Sequence, residues 1–160
     1  MVKVISHLWF AESAREAVEF YVSLVPNSVI GEITIVPAET PSGPPGSVEI
    51  VQFTLGGQNF VAMRAGPFEP FNHAYSVQVI CEDQAEVDRI WDGFLANGGT
   101  AEQCGWLRDR WGLSWQIVPK ALTEMMSGAR KGNVKNMTEA MLQMVKIDIA
   151  TLEKAFQEAA

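Results

Sequence analysis

Few residues in this chain could do chemistry near neutral pH. There are two histidines, His7 and His73, and two cysteines, Cys81 and Cys104, without CxxC spacing. A histidine can exchange protons or ligate a metal, whereas a thiol reacts only as thiolate. Small, reduced, buried thiols are therefore the plain expectation, with Cys104, beside Gly105 and Trp106, the one placed for reactivity. The more informative side chains are Ser76 with Gln78 and Ser114 with Gln116, each pair two residues apart in a strand-like run. Positions i and i+2 of a strand share a face. A glutamine out of bulk water needs partners for both ends of its amide, so two on one concave face call for each other, for water or for a bound polar molecule. Trp106, Trp111 and Trp115 follow closely and can pack as core or stack on a planar ligand. His7 and Trp9 share one strand face, and Ser6, Leu8 and Phe10 the other; alternation does not choose which points inward. Asp109 and Arg110 read as a solvated hairpin corner.

The elements that must position these residues come in two similar sets. Residues 2–10 are strand-like. From Glu12 to Val25 the spacing turns helical, with Ala14, Ala17, Val18, Tyr21 and Val25 on one face and Ser13 and Glu16 as a capping box. A strand over 29–37, a Pro/Gly loop over 41–46 and two strands joined at Gly56-Gly57 complete the first set. The second repeats it. A strand over 74–80 precedes a helix capped by Asp83, which carries Val87, Ile90, Trp91, Phe94 and Leu95, and short strands at 100–104, 105–109 and 113–118 follow. A shift of roughly 70 residues pairs Ser6 with Ser76, Tyr21 with Trp91 and Leu24 with Phe94. The fold class is α+β, two βαβββ modules at about 1–66 and 73–119 in a single domain. A helical tail spans about 120–160, with a short helix to Ser127 and one long helix from Val134 to Phe156 whose Met-rich stripe must pack on something.

Composition narrows the function classes. Of 160 residues 48% are apolar, enough for a packed core, and the net charge of −7 leaves little to bind a phosphate backbone, so nucleic acid is not an expected partner. The basic cluster Arg130, Lys131 and Lys135 reads as a linker and helix start. No apolar run reaches the length of a membrane span or forms a signal peptide, so no membrane partner and a cytoplasmic location are expected.

The stretches from His7 to Phe10, Glu16 to Tyr21, Cys81 to Asp88 and Cys104 to Pro119 resemble the PhnB-like proteins. These form a branch of the glyoxalase/bleomycin-resistance (vicinal oxygen chelate) superfamily, often labelled 3-demethylubiquinone-9 3-methyltransferase-like. The tail around Ala140 to Asp148 looks like this branch too. The resemblance implies paired βαβββ modules, a homodimer and a small-molecule ligand in a cleft. Its enzymes hold a divalent metal through His, Glu or Gln from the first and last strands of each module. Here those positions carry His7 or Ser6, Met63 or Ala62, Ser76 and Gln116. Only His7 and Gln116 are plausible ligands, too few for a catalytic metal, so no cofactor is expected. Nor is there a glycine-rich strand-to-helix turn of the kind an S-adenosylmethionine domain uses. The pocket candidates are His7, Trp9, Ser76, Gln78, Cys104, Trp106, Trp115 and Gln116, in a chain expected to bind a small polar or aromatic metabolite. The alternative is a metal-dependent lyase, isomerase or dioxygenase of the glyoxalase type.

Overall fold

The computed structural model describes residues 1–158 of the chain, so the last two residues of the expected tail lie outside the described residues. The chain divides into two compact units, Met1–Pro70 and a second that begins at Phe71.

The first unit runs β1 (Ser6–Phe10), α1 (Ala14–Leu24), β2 (Val29–Ile35), β3 (Glu49–Leu55) and β4 (Gln58–Arg64), in a sheet of order β1-β4-β3-β2. β1 and β4 are parallel, which requires the chain to cross over between them, and α1 lies in that crossover. β3 and β4 form the hairpin expected at Gly56-Gly57, both at positive φ as a tight two-residue turn demands. α1 lays Ala14, Ala17, Val18 and Tyr21 on the sheet, against a face that includes Leu8, Phe10, Phe53, Phe60 and Ala62, all buried. That settles the first strand: Leu8 and Phe10 point toward the helix, and His7 and Trp9 to the opposite, open face.

The second unit repeats the plan with β5 (Ser76–Cys81), α2 (Gln84–Ala96), β6 (Thr100–Ala101), β7 (Trp106–Arg108) and β8 (Ser114–Pro119), ordered β5-β8-β7-β6 with β5 parallel to β8. Val87, Ile90, Trp91 and Phe94 of α2 cover Val77, Cys81, Leu107, Trp115 and Ile117. Asp83 caps α2 as expected by accepting from the Glu86 amide, and Glu86 answers by accepting from the Glu82 amide. Ser13 does not cap α1: it sits at φ 60, and its hydroxyl makes no cap hydrogen bond. β1 is also shorter than expected, because its pairing with β4 starts at Ser6 and Phe60 and leaves Val2 and Val4 exposed.

The repeat holds with a different offset. Ala14, Ala17, Val18 and Tyr21 match Val87, Ile90, Trp91 and Phe94 one for one at 73 residues, and the buried strand positions change parity, from even numbers in β1 to odd numbers in β5. An even shift near 70 therefore puts strand residues on the wrong face.

The tail is α3 (Lys120–Met126), α4 (Val134–Leu142) and α5 (Ile149–Gln157). The expected single helix from Val134 to Phe156 is thus two helices. Residues 143–148 leave the helix because their backbone is claimed elsewhere. The Cys104 and Gly105 amides donate to the carbonyls of Met144 and Val145, Gln84 bonds the Ile147 carbonyl and the Ile149 amide, and Asp148 caps α5. The Met-rich stripe is core: Leu122, Met125, Met137, Ile147, Leu152 and Phe156 form a buried cluster with Val118. Arg130, expected in a solvated linker, instead grips Glu153 with two 2.6 Å bonds and lies over Phe156.

Candidate functional site

The open face of the second sheet gathers most of the candidate side chains. The register sets Ser76, Ser114 and Arg108 in one row across β5, β8 and β7, and Gln78, Gln116 and Trp106 in the next. Neighbouring strands lie about 4.8 Å apart, so the second row spans roughly 10 Å. Alternation that turns Trp115 and Ile117 toward α2 turns Ser114 and Gln116 away from it. The two glutamines and Ser76 form a directional chain: Gln78 Nε2 donates to Gln116 Oε1 at 3.3 Å, and Gln116 Nε2 donates to Ser76 Oγ at 2.8 Å. Ser114 is fully buried, and its hydroxyl has no hydrogen-bond partner among the described residues. Such an orphan costs about 1–3 kcal/mol unless something satisfies it.

Three residues outside the pocket candidates complete this face. His73 Nε2 lies 2.8 Å from Glu102 Oε2, the other carboxylate oxygen lies 3.0 Å from Arg108 Nε, and the His73 ring stands 6.3 Å from that of Trp106. His73 precedes β5, so strand alternation cannot place it. It comes within reach of Glu102 and Trp106 through the irregular strap before Ser76, in which the Asn72 side chain accepts from the Ala74 amide. No periodicity signals such a strap. For Glu102 and Arg108 a signal is present, since both lie an even number of residues from Trp106 in the same meander.

The remaining candidates fall elsewhere. Trp115 is not a pocket wall: it is fully buried on the helix side, packed 4.7 Å from Phe94 with its indole N–H donated to Asp109. Asp109 is correspondingly no solvated corner. It is buried, and besides Trp115 it accepts from the amides of Trp111 and Leu113, while Arg110 stacks on Trp111. Cys104 is half-buried in a left-handed turn whose amide is tied to Met144. Burial pushes the Cys81 thiol up to about 12, with Glu86 adding to the shift, so it stays protonated. In the first unit Trp9 donates to the Gly66 carbonyl and stacks on Phe68 at 4.9 Å, while His7 stays exposed on the open face. That face also carries a groove of about 310 Å³ bounded by Lys3, Val29, Gln52, Thr54, Asn59 and Val61.

The donor set does not fit a divalent metal. The neighbours of His7 and Trp9 on β4 are Val61 and Met63, and both ends of the Gln116 amide are already engaged. Among the described residues no three His, Cys, Asp or Glu come together as a ligand group, where a catalytic site wants at least three protein ligands. Among them, too, no helix is long and apolar enough to cross a membrane.

Modules of this plan define the glyoxalase/bleomycin-resistance fold. The chain is similar to the fosfomycin resistance protein FosX of Listeria monocytogenes, at 12% identity and TM-score 0.54 over 77% of this chain and 94% of that one. It is also similar to the trypanothione-dependent glyoxalase I of Leishmania major, at 13% identity and TM-score 0.53 over 80% and 93%. Within that class, the model of the 3-demethylubiquinone-9 3-methyltransferase family matches residues 2–118, and the chain belongs to this family. The PhnB protein of Bacillus cereus is 32% identical, with TM-score 0.63 over 74% of this chain and 99% of that one. No curated protein matches the chain. The family match stops at Val118, so the helical tail lies beyond it.

Proposed function

We propose that the chain is a homodimeric protein that binds a small polar or aromatic metabolite on the open face of its second sheet, without a divalent metal and without transferring a methyl group. The observation that carries this reading is the row Gln78, Gln116 and Trp106, with Ser76 at the end of its hydrogen-bond chain. A sheet face meant only for solvent has no need of paired amides in register beside a half-buried indole. A face meant only for packing would be apolar.

The family's description names a methyltransferase, but local structure argues against a methyl-donor site. A methyl-donor nucleotide sits where a parallel strand gives way to a helix through a glycine-rich turn. The two such connections, residues 11–13 and 82–83, contain no glycine. Metal independence is argued from the donor set above. Dimerisation is supported by edge strand β2, whose Ile33 and Ile35, paired with Val51 and Glu49 beyond a bulge in the strand, stay exposed as an apolar pair that a second copy would cover.

The test is a ligand-detected NMR screen of small aromatic acids, amides, phenols and amino acids against the wild type and a Gln116→Leu variant, with S-adenosylmethionine and Mn, Ni, Zn and Mg as separate arms. Hits lost in the variant, with no response to the methyl donor or the metals, are expected. Stoichiometric metal stabilisation lost in His7→Ala, or saturable S-adenosylmethionine binding, would contradict the reading.

A further inference from the structure

We infer that the ligand of this face is uncharged and planar and presents an amide-type edge, a carbonyl beside an N–H, as a carboxamide or lactam does. The inference rests on the binding reading above and narrows it to a ligand class.

Two independent features of the face lead there. The first is the polarity of the hydrogen-bond chain. Gln78 gives an N–H to Gln116, and Gln116 gives one to Ser76. At one end, Gln78 Oε1 accepts from nothing among the described residues. At the other, the Ser76 hydroxyl has its own proton to give, since no acceptor for it is found there. Among the described residues the indole N–H of Trp106 is likewise without an acceptor. The face thus offers a ligand one acceptor, Gln78 Oε1, and two donors, the Ser76 hydroxyl and the Trp106 indole N–H, within about 10 Å, the complement of a ligand carrying both a donor and an acceptor. Trp106 supplies an aromatic surface for a planar ring.

The second feature is charge. The ionisable groups around the face are Arg108, Glu102 and His73, and they are spent on one another: one Glu102 oxygen takes Arg108 and the other takes His73. Lys120 pairs with Glu82 past the end of β5. A carboxylate or phosphate settling here would lose part of its hydration and find no unpaired cation, whereas a neutral amide exchanges hydrogen bonds with water nearly one for one.

Matched pairs test this. Nicotinamide against nicotinate, and benzamide against benzoate, are titrated at pH 7.5 into protein with resolved side-chain amide and indole resonances, in the wild type and Gln78→Met. Gln78 is exposed, so its variant is expected to fold normally. The expected result is that each amide shifts the Gln78, Gln116 and Trp106 signals and binds at least tenfold tighter than its acid, and that Gln78→Met removes most of that preference. Acids binding as tightly as amides on the same resonances would overturn the ligand class and leave the binding reading standing. Amide binding indifferent to Gln78→Met would also overturn it. If neither member of either pair moves these signals, the amide inference fails, and the broader screen alone judges whether the face binds anything.

Discussion

Asp109 gathers three donors of the second unit around one carboxylate. Asp109, only 6% exposed, accepts from the Trp111 and Leu113 amides and from the Trp115 indole, so it closes the β7–β8 turn and fixes the fully buried Trp115. Asp109→Ala would leave buried donors without acceptors and is expected to cost on the order of 3 kcal/mol, with Asp109→Asn costing roughly half. Urea unfolding with an unchanged m-value measures it; a loss under about 0.5 kcal/mol would show that the turn holds without the carboxylate. This role is not legible in the sequence. Asp-Arg before Trp-Gly in a tight hairpin looks the same whether the carboxylate faces water or gathers its own turn's amides. Ser76, Gln78 and Gln116 are legible because their two-residue spacing needs only strand alternation. His73 is not, because it comes to the face through an irregular strap.

Elements carried by period and turn chemistry can be read from the residues alone. The Gly56-Gly57 hairpin, the Asp83 cap and the apolar faces of α1 and α2 are examples. The break in the tail cannot, since Met137, Met141, Met144 and Val145 keep helical spacing across it. What breaks the helix is distant in sequence: the turn at Cys104 and Gly105, both at positive φ, donates two amides to residues 144 and 145. A Cβ on Gly105 would stand 2.8 Å from the Ile117 carbonyl oxygen and 2.9 Å from Ile147 Cγ1, while Gly112, also at positive φ, has nothing within 4 Å. Gly112→Ala is therefore expected to cost only the strain of a left-handed alanine, about 1 kcal/mol. Gly105→Ala is expected to cost at least twice that and to lower hydrogen-exchange protection in α4 and α5. Equal costs for the two variants would mean that the tail does not lean on this turn.

At the scale of the whole molecule the tail is tied down by charge. Lys146 bridges Asp88 and Asp92 of α2 at 2.9 and 3.6 Å, and Arg130 holds Glu153. Hydrogen bonds from Lys146 and Gln84 lower the Asp88 pKa, Arg130 does the same for Glu153, and the Thr151 hydroxyl and amide do so for Asp148. A carboxylate depressed in the folded state contributes stability that is complete above its ordinary value, here 3.8 for the aspartates and 4.5 for Glu153, and that is lost as pH falls through the lower folded value. Lys146, raised chiefly by its bond to Asp88, has the opposite sign: its contribution is full below 10.5 and is lost as pH rises through the raised value. The tail is thus expected to be firm through neutral pH and to lose hydrogen-exchange protection below about pH 4, ahead of the sheets of either unit. Each group is partly solvated, so the effect is modest in energy. Simultaneous loss in tail and sheets would contradict it. The homodimer has its own check: light scattering behind size-exclusion chromatography at micromolar concentration is expected to give twice the 17.6 kDa chain mass, and a monomer would remove that part of the proposal.

The central claim is that the open face of the second sheet is a binding surface. A two-dimensional amide and indole NMR map of the protein, taken with and without the hits of the fragment screen, addresses it most directly. The expected result is a set of shifts centred on the Gln78 and Gln116 side-chain amides and the Trp106 indole, with the buried Trp115 indole unmoved. Shifts centred on the groove beside Gln52 and Asn59 of the first sheet, with the Gln78, Gln116 and Trp106 signals still, would contradict it.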